Sequence, residues 1–317
     1  MKAFQEGEWR AYDDITNERG EFERATTSFR SWVGDEGAFP PEPGRYHLYV
    51  SYACPWAHRT LVTRRLRGLE DVISVDVVDP WRGDDGWQFS PDKDGCTRDT
   101  VNDADYLREL YVEADGNYTG RVTVPVLWDK ERGTIVNNES REIMRMLDTR
   151  FEEYANDGTL LPDGKQDEVD RVLDEIYPSI NNGVYRAGFA ESQEAYDDAV
   201  TELFDALAHW DDVLAEQRYL VGDTLTEADV AMFTTLVRFD EVYYTHFRCN
   251  VRRITDYEHL WGYLRDVYQT DGVAETVNMS HIKEHYYTTH DDLNPKRIVP
   301  KGPSPEFDAP QDRDELS

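Results

Sequence analysis

The sequence predicts two domains, a small α/β domain followed by an all-helical domain. The chain has 317 residues, of which 39% are hydrophobic and 12% aromatic, enough to build two real cores and to exclude a chain that is disordered throughout. Strand and helix patterns alternate in the order β-α-β-α-β-β-α between residues 45 and 150. Beyond residue 164 the strand patterns cease and segments of helical period take over.

The α/β domain, residues 45–150, is predicted element by element from the spacing of its apolar side chains. Turn residues bound its strands, and apolar residues recur at helical spacing in its helices. The predicted strands are Arg45–Ser51, Val72–Val78, Val124–Trp128 and Thr134–Val136, and the predicted helices are His58–Leu69, Asp105–Glu113 and Glu139–Arg150. A long loop rich in Gly, Asp and Trp, Pro80–Asp99, joins the second strand to the second helix.

The helical domain, residues 165–290, contains four long segments with the 3.6-residue period of a helix. These segments are Gln166–Asn181, Ser192–Gln217, Thr226–Thr245 and Tyr257–Tyr268. Thr226 and Asp229 form a capping box at the start of the third helix, which we interpret as structural. Residues 1–44 are predicted as an N-terminal extension that ends in a Pro/Gly-rich loop. Residues 291–317 are predicted as a tail that lies extended on the surface or is loose.

The formal net charge of −31 excludes several kinds of partner. Phosphates of DNA or RNA, and an anionic membrane surface, would have to approach through a repulsive field. Only 7 of the 34 basic residues are Lys, and the acidic residues are spread along the chain. This pattern is typical of a protein that stays soluble in high salt, where screening over about 3 Å at 1 M removes self-repulsion. An ordinary acidic cytosolic protein is the alternative.

Cysteine content and hydropathy predict the compartment. No apolar run is long enough for a membrane span, and the first residues lack the basic and then apolar pattern of a signal peptide. The three cysteines, Cys54, Cys96 and Cys249, form no CxxC pair and no metal spacing, which excludes a disulfide framework. We therefore expect a soluble cytoplasmic protein.

Cys54 is the strongest candidate for chemistry. It follows a predicted strand and precedes a predicted helix, where free amides and the positive end of the helix dipole stabilise a thiolate. Pro55 suits the first helical turn because it has no amide to leave unpaired. Position 57 is Ala57 and not a second cysteine, so an external thiol must resolve any mixed disulfide. Cys96 and Cys249 are interpreted as ordinary packed cysteines.

Two further signals lie downstream of Cys54. Val124-Pro125 starts a strand, where proline belongs at an edge or in a special turn, and a cis bond there would turn the Val124 N–H and C=O toward a peptide-like ligand. Glu139-Ser140 starts a helix, whose free amides suit a carboxylate. A plain helix cap is the alternative interpretation of that pair.

Metal and nucleotide cofactors lack support in the sequence. His281 and His285 are four residues apart, but no third ligand accompanies them and the HExxH pattern is missing, so no metal is predicted. The chain also lacks GxGxxG and P-loop patterns, so no dinucleotide or nucleotide is predicted.

Seven blocks carry a resemblance to a known family, and the blocks containing CPWA, NNGVY and HIKEHYY are specific to it. The blocks are SYACPWAHRTL, VVDPWRGDDGWQFS, GRVTVPVLWD, VNNESREI, YPSINNGVYRAGFA, RFDEVYYTHFRCN and HIKEHYYTTH. In this order they resemble the glutathionyl-hydroquinone reductases, also called Xi-class glutathione transferases. The resemblance implies a thioredoxin-like N-terminal domain, an all-α C-terminal glutathione-transferase domain and a homodimer.

The resemblance also implies a set of site residues. Cys54 matches the nucleophile of the family, and Tyr185 matches its proton donor. Tyr243 and Tyr286 match tyrosines that line the quinone pocket, with the adjacent Tyr244 and Tyr287 as alternatives. The glutathione site is matched by Trp87, Arg121, Val122, Thr123, Val124, Glu139 and Ser140. Glu139 would accept from an α-ammonium and Ser140 would hold an α-carboxylate, a pattern that suits a γ-glutamyl group.

The expected reaction removes a glutathionyl group from a substituted hydroquinone through a mixed disulfide on Cys54, which a second thiol resolves. That thiol is glutathione or γ-glutamylcysteine, used as a co-substrate with no tightly bound cofactor. Two alternatives remain open. A conjugating or thiol-transferring glutathione transferase is the first, although a conjugating one would carry serine or tyrosine where this chain has Cys54. A non-catalytic relative of the fold is the second.

Overall fold

The computed structural model describes residues 2–11, 16–24, 26–34 and 37–316. The chain folds into two compact units, each made of more than one segment. The first unit comprises Met1–Asp13, Ala25–Gly158 and Thr276–His290, and the second comprises Asp14–Arg24, Thr159–Glu275 and Asp291–Ser317. No helix within the described ranges is both long enough and apolar enough to cross a membrane.

Strands and helices are labelled in chain order. The strands are β1 (Lys2–Gln5), β2 (Glu8–Ala11), β3 (Tyr46–Val50), β4 (Ser74–Val77), β5 (Val126–Asp129) and β6 (Thr134–Asn137). The helices are α1 (Pro55–Leu66), α2 (Leu107–Ala114), α3 (Ser140–Thr149), α4 (Gln166–Ile176), α5 (Gly183–Gly188), α6 (Gln193–Leu214), α7 (Glu227–Arg238), α8 (Tyr244–His246), α9 (Glu258–Gln269) and α10 (Met279–Thr289).

The first unit is built on a four-stranded mixed sheet with the order β4-β3-β5-β6. β3 runs parallel to β4 and antiparallel to β5, and β5 runs antiparallel to β6. All five residues of β3 are buried, as expected for a central strand covered on both faces. This arrangement confirms the predicted thioredoxin-like domain. The hairpin of β1 and β2 lies in the predicted N-terminal extension, and Phe4 pairs with Gly120 through two backbone hydrogen bonds.

α1 begins three residues before the predicted start at His58. Cys54 is its N-cap residue and Pro55 its first residue, because proline has the right φ and no amide to leave unpaired at that position. The ends of the other predicted elements of the first unit differ from the observed ends by fewer than three residues. Differences of this size are usual because the ends of helices and strands fray.

α10 lies in the first unit, although the predicted helical domain of residues 165–290 includes it. Its side chains bond to the loop between β4 and α2: His281 Nε2 lies 2.7 Å from the Asp94 carbonyl oxygen, and His285 Nδ1 lies 2.6 Å from the Pro80 carbonyl oxygen. Glu284 forms an ion pair with Lys93. Residues 276–290 therefore belong to the first unit, which differs from the predicted domain boundary.

Asp76 in β4 is buried, and its carboxylate has several polar partners. Its carboxylate accepts from the amide and hydroxyl of Thr100, each at 2.7 Å, and from Thr97 Oγ1 at 3.0 Å, while His47 Nε2 lies 3.1 Å away. Burial opposes ionisation of this carboxyl group, yet the contacts with His47 and Thr100 outweigh it and hold its pKa below the usual 3.8.

The low pKa of Asp76 predicts a loss of stability in acid. A carboxyl group whose pKa is lower in the folded state stabilises the fold above pH 3.8, and this contribution disappears as the pH falls through the folded-state pKa. We expect the difference in unfolding free energy between the wild type and Asp76→Asn to shrink between pH 5 and pH 3, measured by urea titration. The exposed Asp92→Asn is the control, and a difference that stays constant over this range would contradict the prediction.

The second unit is helical, as predicted, and two turns of π-helix interrupt the predicted helices. Tyr177–Asn181 separates α4 from α5, and Phe239–Tyr243 separates α7 from α8. Pro178 lies in the first of these turns and has no N–H to donate to the α-helical ladder. The Asn182 amide donates to the Tyr177 carbonyl at 2.8 Å, five residues back, which is the bond of a π-turn.

The predicted capping box at the start of α7 is confirmed. The Thr226 side chain accepts from the Asp229 amide, and the Thr226 amide donates to Asp229 Oδ2 at 2.8 Å. Asp229 also accepts from the Leu220 amide at 2.8 Å and from the Tyr263 hydroxyl at 3.0 Å, so its buried carboxylate ties α7 to α9 and to the preceding loop.

The described part of the C-terminal tail, residues 291–316, has no long helix, but it is held against α9. Phe307 stacks on Tyr268 with ring centroids 5.0 Å apart, and Gln269 donates to the Phe307 carbonyl at 2.7 Å. Arg313 is buried and donates to the carbonyls of Gln217 and Arg218 at 2.6 and 2.8 Å. The tail is therefore extended and packed, which is the first of the two predicted possibilities.

Candidate active site

Cys54 stands at the N-terminus of α1, directly after β3. Its backbone has extended dihedral angles, φ −78° and ψ 119°, and its carbonyl accepts from the His58 amide at 2.9 Å. Cys54 as a residue is partly exposed, and its Sγ lies 3.6 Å from the Val124 carbonyl oxygen. The first turn of α1 contains no acidic residue, so no carboxylate of that turn opposes a thiolate.

The segment Arg121–Val124 lies beside Cys54 and leads into β5. The Val124-Pro125 peptide bond is cis, as considered from the sequence. Val122 and Val124 are buried, whereas Arg121 and Thr123 are partly exposed. The Tyr118 hydroxyl donates to the Arg121 carbonyl at 2.9 Å, which holds the first end of the segment.

Glu139 and Ser140 occupy the start of α3. Glu139 is the N-cap residue, and its Oε1 accepts from the Arg141 amide at 3.3 Å and lies 3.5 Å from Ser140 Oγ. Its other oxygen lies 3.5 Å from Thr27 Oγ1. The Asn137 side chain accepts from the Glu139 amide at 2.7 Å and fixes the approach to the helix. The interpretation of the pair as a helix cap is confirmed, and its role toward a ligand stays a prediction.

Trp87 and Tyr286 are buried in the first unit. The Trp87 ring stacks on His285 of α10 with centroids 5.1 Å apart, and the Arg82 guanidinium lies 5.4 Å from the same ring. Tyr286 follows His285 and packs edge-on against it at 5.2 Å. The neighbouring Tyr287 is also buried, so burial does not separate the two tyrosines.

Tyr185 and Tyr243 come together in the second unit. Their ring centroids lie 6.0 Å apart, and both rings contact Phe247. Tyr243 belongs to the second π-turn, while Tyr185 lies in α5, just after the first. The adjacent Tyr244 instead lies under the Arg253 guanidinium, 5.0 Å away. Tyr243 is therefore the one of this pair that contacts Tyr185.

Arg24 and Phe22 are neighbours of Tyr185 that sequence reasoning missed. The Arg24 guanidinium carbon lies 5.0 Å from the Tyr185 ring centroid, and Arg24 Nε donates to Asn182 Oδ1 at 3.1 Å. Phe22 stacks on the Tyr185 ring at 6.4 Å. Both residues lie in the predicted N-terminal extension, where no local pattern indicates a contact so distant along the chain.

Cys96 and Cys249, the other two cysteines, have thiols whose pKa is raised. Burial, followed by the charge of Asp79, raises the pKa of Cys96 to about 11. Burial also raises the pKa of Cys249, far above the usual thiol range, and this thiol points at carbonyl groups in the core. Both therefore stay protonated at neutral pH, as their interpretation as packed cysteines expects.

The histidines of α10 have partners other than a metal. In the ranges that the structure describes, no group of three or more His, Cys, Asp or Glu side chains is arranged to hold a metal ion. His281 and His285 each approach a backbone carbonyl through one ring nitrogen, so that nitrogen carries a proton.

The two units correspond to the two domains of a known class of protein. A family model of the N-terminal domain of glutathione S-transferase matches residues 53–150, and a model of the C-terminal domain matches residues 193–266. Together with the sheet order and the helical second unit, these matches define the chain as a glutathione S-transferase.

Full-length relatives narrow the class. Glutathionyl-hydroquinone reductase YqjG of Escherichia coli (strain K12) is 49% identical over 319 residues, which cover 98% of this chain and 97% of that protein. The solved glutathione-bound structure of YqjG has a TM-score of 0.91 at 48% identity, covering 98% and 99% of the two chains. The solved Xi-class glutathione transferase from Natrialba magadii has a TM-score of 0.95 at 65% identity, covering 100% and 98%. The chain belongs to the Xi class of glutathione transferases, the family of the glutathionyl-hydroquinone reductases.

Proposed function

We propose that the chain is a thiol-dependent reductase that releases hydroquinones from their glutathionyl conjugates. The observation that carries the proposal is the position of Cys54, a partly exposed residue at the N-terminus of a helix whose first turn contains no acidic residue. Such a position favours the thiolate, which attacks sulfur. The name of the E. coli relative supports the same reaction class.

The first step transfers the thiol from the aromatic ring to Cys54. The Cys54 thiolate attacks the thioether sulfur of the conjugate, a sulfur–sulfur bond forms, and the bond between sulfur and the aromatic carbon breaks. The electron pair of the broken bond stays on the ring, which takes a proton from the Tyr185 hydroxyl and leaves as hydroquinone. The ring carbon is reduced and the Cys54 sulfur is oxidised to a mixed disulfide.

The second step restores the enzyme. A second thiol molecule, as its thiolate, attacks the sulfur of the bound thiol in the mixed disulfide, which releases an oxidised disulfide and the Cys54 thiolate. Tyr185 recovers its proton from the solvent. One conjugate and one thiol therefore give one hydroquinone and one low-molecular-mass disulfide, and no external oxidant or reductant is required.

We propose that the binding residues pair with the charged groups of a γ-glutamyl thiol. We propose that Glu139 accepts from the α-ammonium, that Ser140 and the first amides of α3 hold the α-carboxylate, and that Arg121 pairs with a second carboxylate. The N–H and C=O of Val124 pair with the peptide part of the thiol. Val122, Thr123 and Trp87 complete this site. Glutathione-bound structures of the family support such a ligand.

Contacts around Tyr185 support its role as the proton donor. A cation near a phenol ring stabilises the phenolate that remains after proton transfer, and the Arg24 guanidinium lies over the Tyr185 ring. Tyr243 and Tyr286 are proposed to line the site of the flat aromatic substrate. We further propose a cytoplasmic homodimer adapted to high salt, in keeping with the charge of −31 and the relative from Natrialba magadii, a halophile.

An assay with each thiol tests the proposal. Purified protein is incubated with a glutathionyl-hydroquinone and either glutathione or γ-glutamylcysteine, and hydroquinone and disulfide are separated and quantified by chromatography. Equal amounts of the two products are expected. A parallel incubation with a chlorinated electrophile detects conjugation. Conjugate formation with no hydroquinone release would favour the conjugating transferase instead.

Salt is expected to improve the apparent affinity for the thiol. The thiol is anionic and approaches a protein of charge −31, so screening of that long-range repulsion lowers the KM for the thiol as salt increases toward the molar range. KM is measured with potassium chloride from low to molar concentration, with an uncharged thiol such as 2-mercaptoethanol as the control. A KM for glutathione that climbs steadily with salt would reject this expectation.

A further inference from the structure

The Tyr111 hydroxyl connects two segments of the candidate thiol site. Tyr111 is fully buried in α2, and its hydroxyl donates to the Thr123 carbonyl oxygen at 2.8 Å. The Tyr111 hydroxyl oxygen in turn accepts from the Thr123 backbone amide at 3.2 Å and from Asn138 Nδ2 at 3.1 Å. One hydroxyl group therefore uses its donor and both of its acceptor positions.

Each partner of Tyr111 stands immediately before a residue of the site. Thr123 precedes Val124, whose carbonyl lies beside Cys54 Sγ, and Asn138 precedes Glu139 at the start of α3. The backbone amide of Asn138 donates a separate hydrogen bond to the Phe29 carbonyl at 3.1 Å. The bond to the Tyr111 hydroxyl therefore orients the Asn138 side chain independently of its backbone. The network links the loop before β5 to the loop before α3.

We propose that Tyr111 is a positioning residue that sets the spacing between the Val124 backbone and the Glu139-Ser140 pair. The inference rests on the proposed thiol site. A ligand that bonds to both segments at once binds tightly only if their spacing is fixed beforehand, because freedom in either segment must be lost on binding. Tyr111 itself does not touch the thiol in this proposal.

The chemistry of the tyrosine suits a fixed connection. Burial raises the pKa of the Tyr111 hydroxyl, so it remains a donor throughout the physiological range. Its ring packs against Tyr118 and Phe29, with centroids 5.0 and 5.8 Å away, and these contacts survive replacement by phenylalanine. Tyr111→Phe therefore removes the three hydrogen bonds and leaves the packing in place.

We expect Tyr111→Phe to raise the Kd for glutathione about tenfold, measured by titration calorimetry on the full-length protein, because three hydrogen bonds that order the site are lost. The kcat at saturating glutathione should stay within about twofold of the wild type, since no group at the reacting sulfur changes. Tyr49→Phe is the matched control: Tyr49 is a fully buried tyrosine in the same unit whose hydroxyl bonds to Asp99 and Asn102. Its Kd should equal that of the wild type.

Asn138→Ala tests the same connection from its other end and replaces Tyr111→Phe if that variant does not fold. It removes the bond to Tyr111 and keeps the backbone bond to Phe29, so Kd should again rise while kcat holds. The double variant should bind no worse than the weaker single variant, because both changes break one network. A wild-type Kd in a folded Tyr111→Phe or Asn138→Ala protein would overturn the inference, as would effects that simply multiply.

Glu139→Gln separates this inference from the thiol site on which it rests. If Glu139→Gln weakens glutathione binding while Tyr111→Phe does not, the positioning role alone is wrong. If Glu139→Gln binds glutathione as the wild type does, the proposed thiol site is wrong and the inference falls with it.

Discussion

Replacement of Cys54 by serine is expected to lower the rate of hydroquinone release by more than about a thousandfold, the usual scale for loss of a covalent nucleophile. A serine hydroxyl at the N-terminus of α1 stays protonated at neutral pH and forms no disulfide, so neither step of the proposed reaction can proceed. Release of hydroquinone is followed by chromatography under saturating conjugate and thiol.

Mass spectrometry of the intact protein detects the mixed disulfide directly. After incubation with the conjugate and no free thiol, the wild type should gain the mass of one thiol molecule, and Cys54→Ser should gain none. Cys96→Ser is the control, since burial and Asp79 keep the Cys96 thiol protonated, and it should turn over at the wild-type rate. Turnover by Cys54→Ser at the wild-type level would eliminate the proposed mechanism.

Asp229→Ala is expected to lower the free energy of unfolding by about 3–5 kcal/mol. The change removes a helix cap, which typically costs about 0.5–2 kcal/mol. It also leaves the Leu220 amide and the Tyr263 hydroxyl without the buried carboxylate that accepts from them, and each unpaired buried group costs about 1–3 kcal/mol before the structure relaxes. Urea titration followed by circular dichroism measures the loss.

Asp256→Ala is the matched control for Asp229→Ala. Asp256 belongs to a capping box with Arg253, but it is exposed, so water replaces the lost bond. Its replacement should cost less than about 1 kcal/mol. Equal losses for the two variants would show that burial of the Asp229 network adds nothing to its capping role.

The order of elements was predictable from sequence because it depends on local patterns. Alternation and helical spacing of apolar residues identify β3, β4 and α3, and the Thr226-Asp229 capping box marks the start of α7. The ends of elements and the π-turns were less predictable. Once the structure is known, Pro178 accounts for an irregularity at the first π-turn. Nothing in the sequence of Phe239–Tyr243 distinguishes the second π-turn from a continuous helix.

The sequence predicts the position of those candidate site residues that stand at the start of a helix. Cys54 and Glu139 each stand at the start of a helix, which a sequence reveals. Tyr111 and Arg24 contact residues far along the chain, namely Thr123 and Asn138 for the first and Tyr185 for the second. No local pattern marks such contacts, and with 19 tyrosines in the chain a single one does not stand out.

The place of α10 in the first unit has a consequence for protein synthesis. A ribosome makes residues 25–158 early, but the segment that covers the loop between β4 and α2 emerges only after residues 159–275 have been made. His281 and His285 then reach carbonyl groups that have been without these partners in the nascent chain. The unit that contains Cys54 is thus begun first but stays incomplete until most of the second unit has been made, and the second unit in turn waits for Asp291–Ser317.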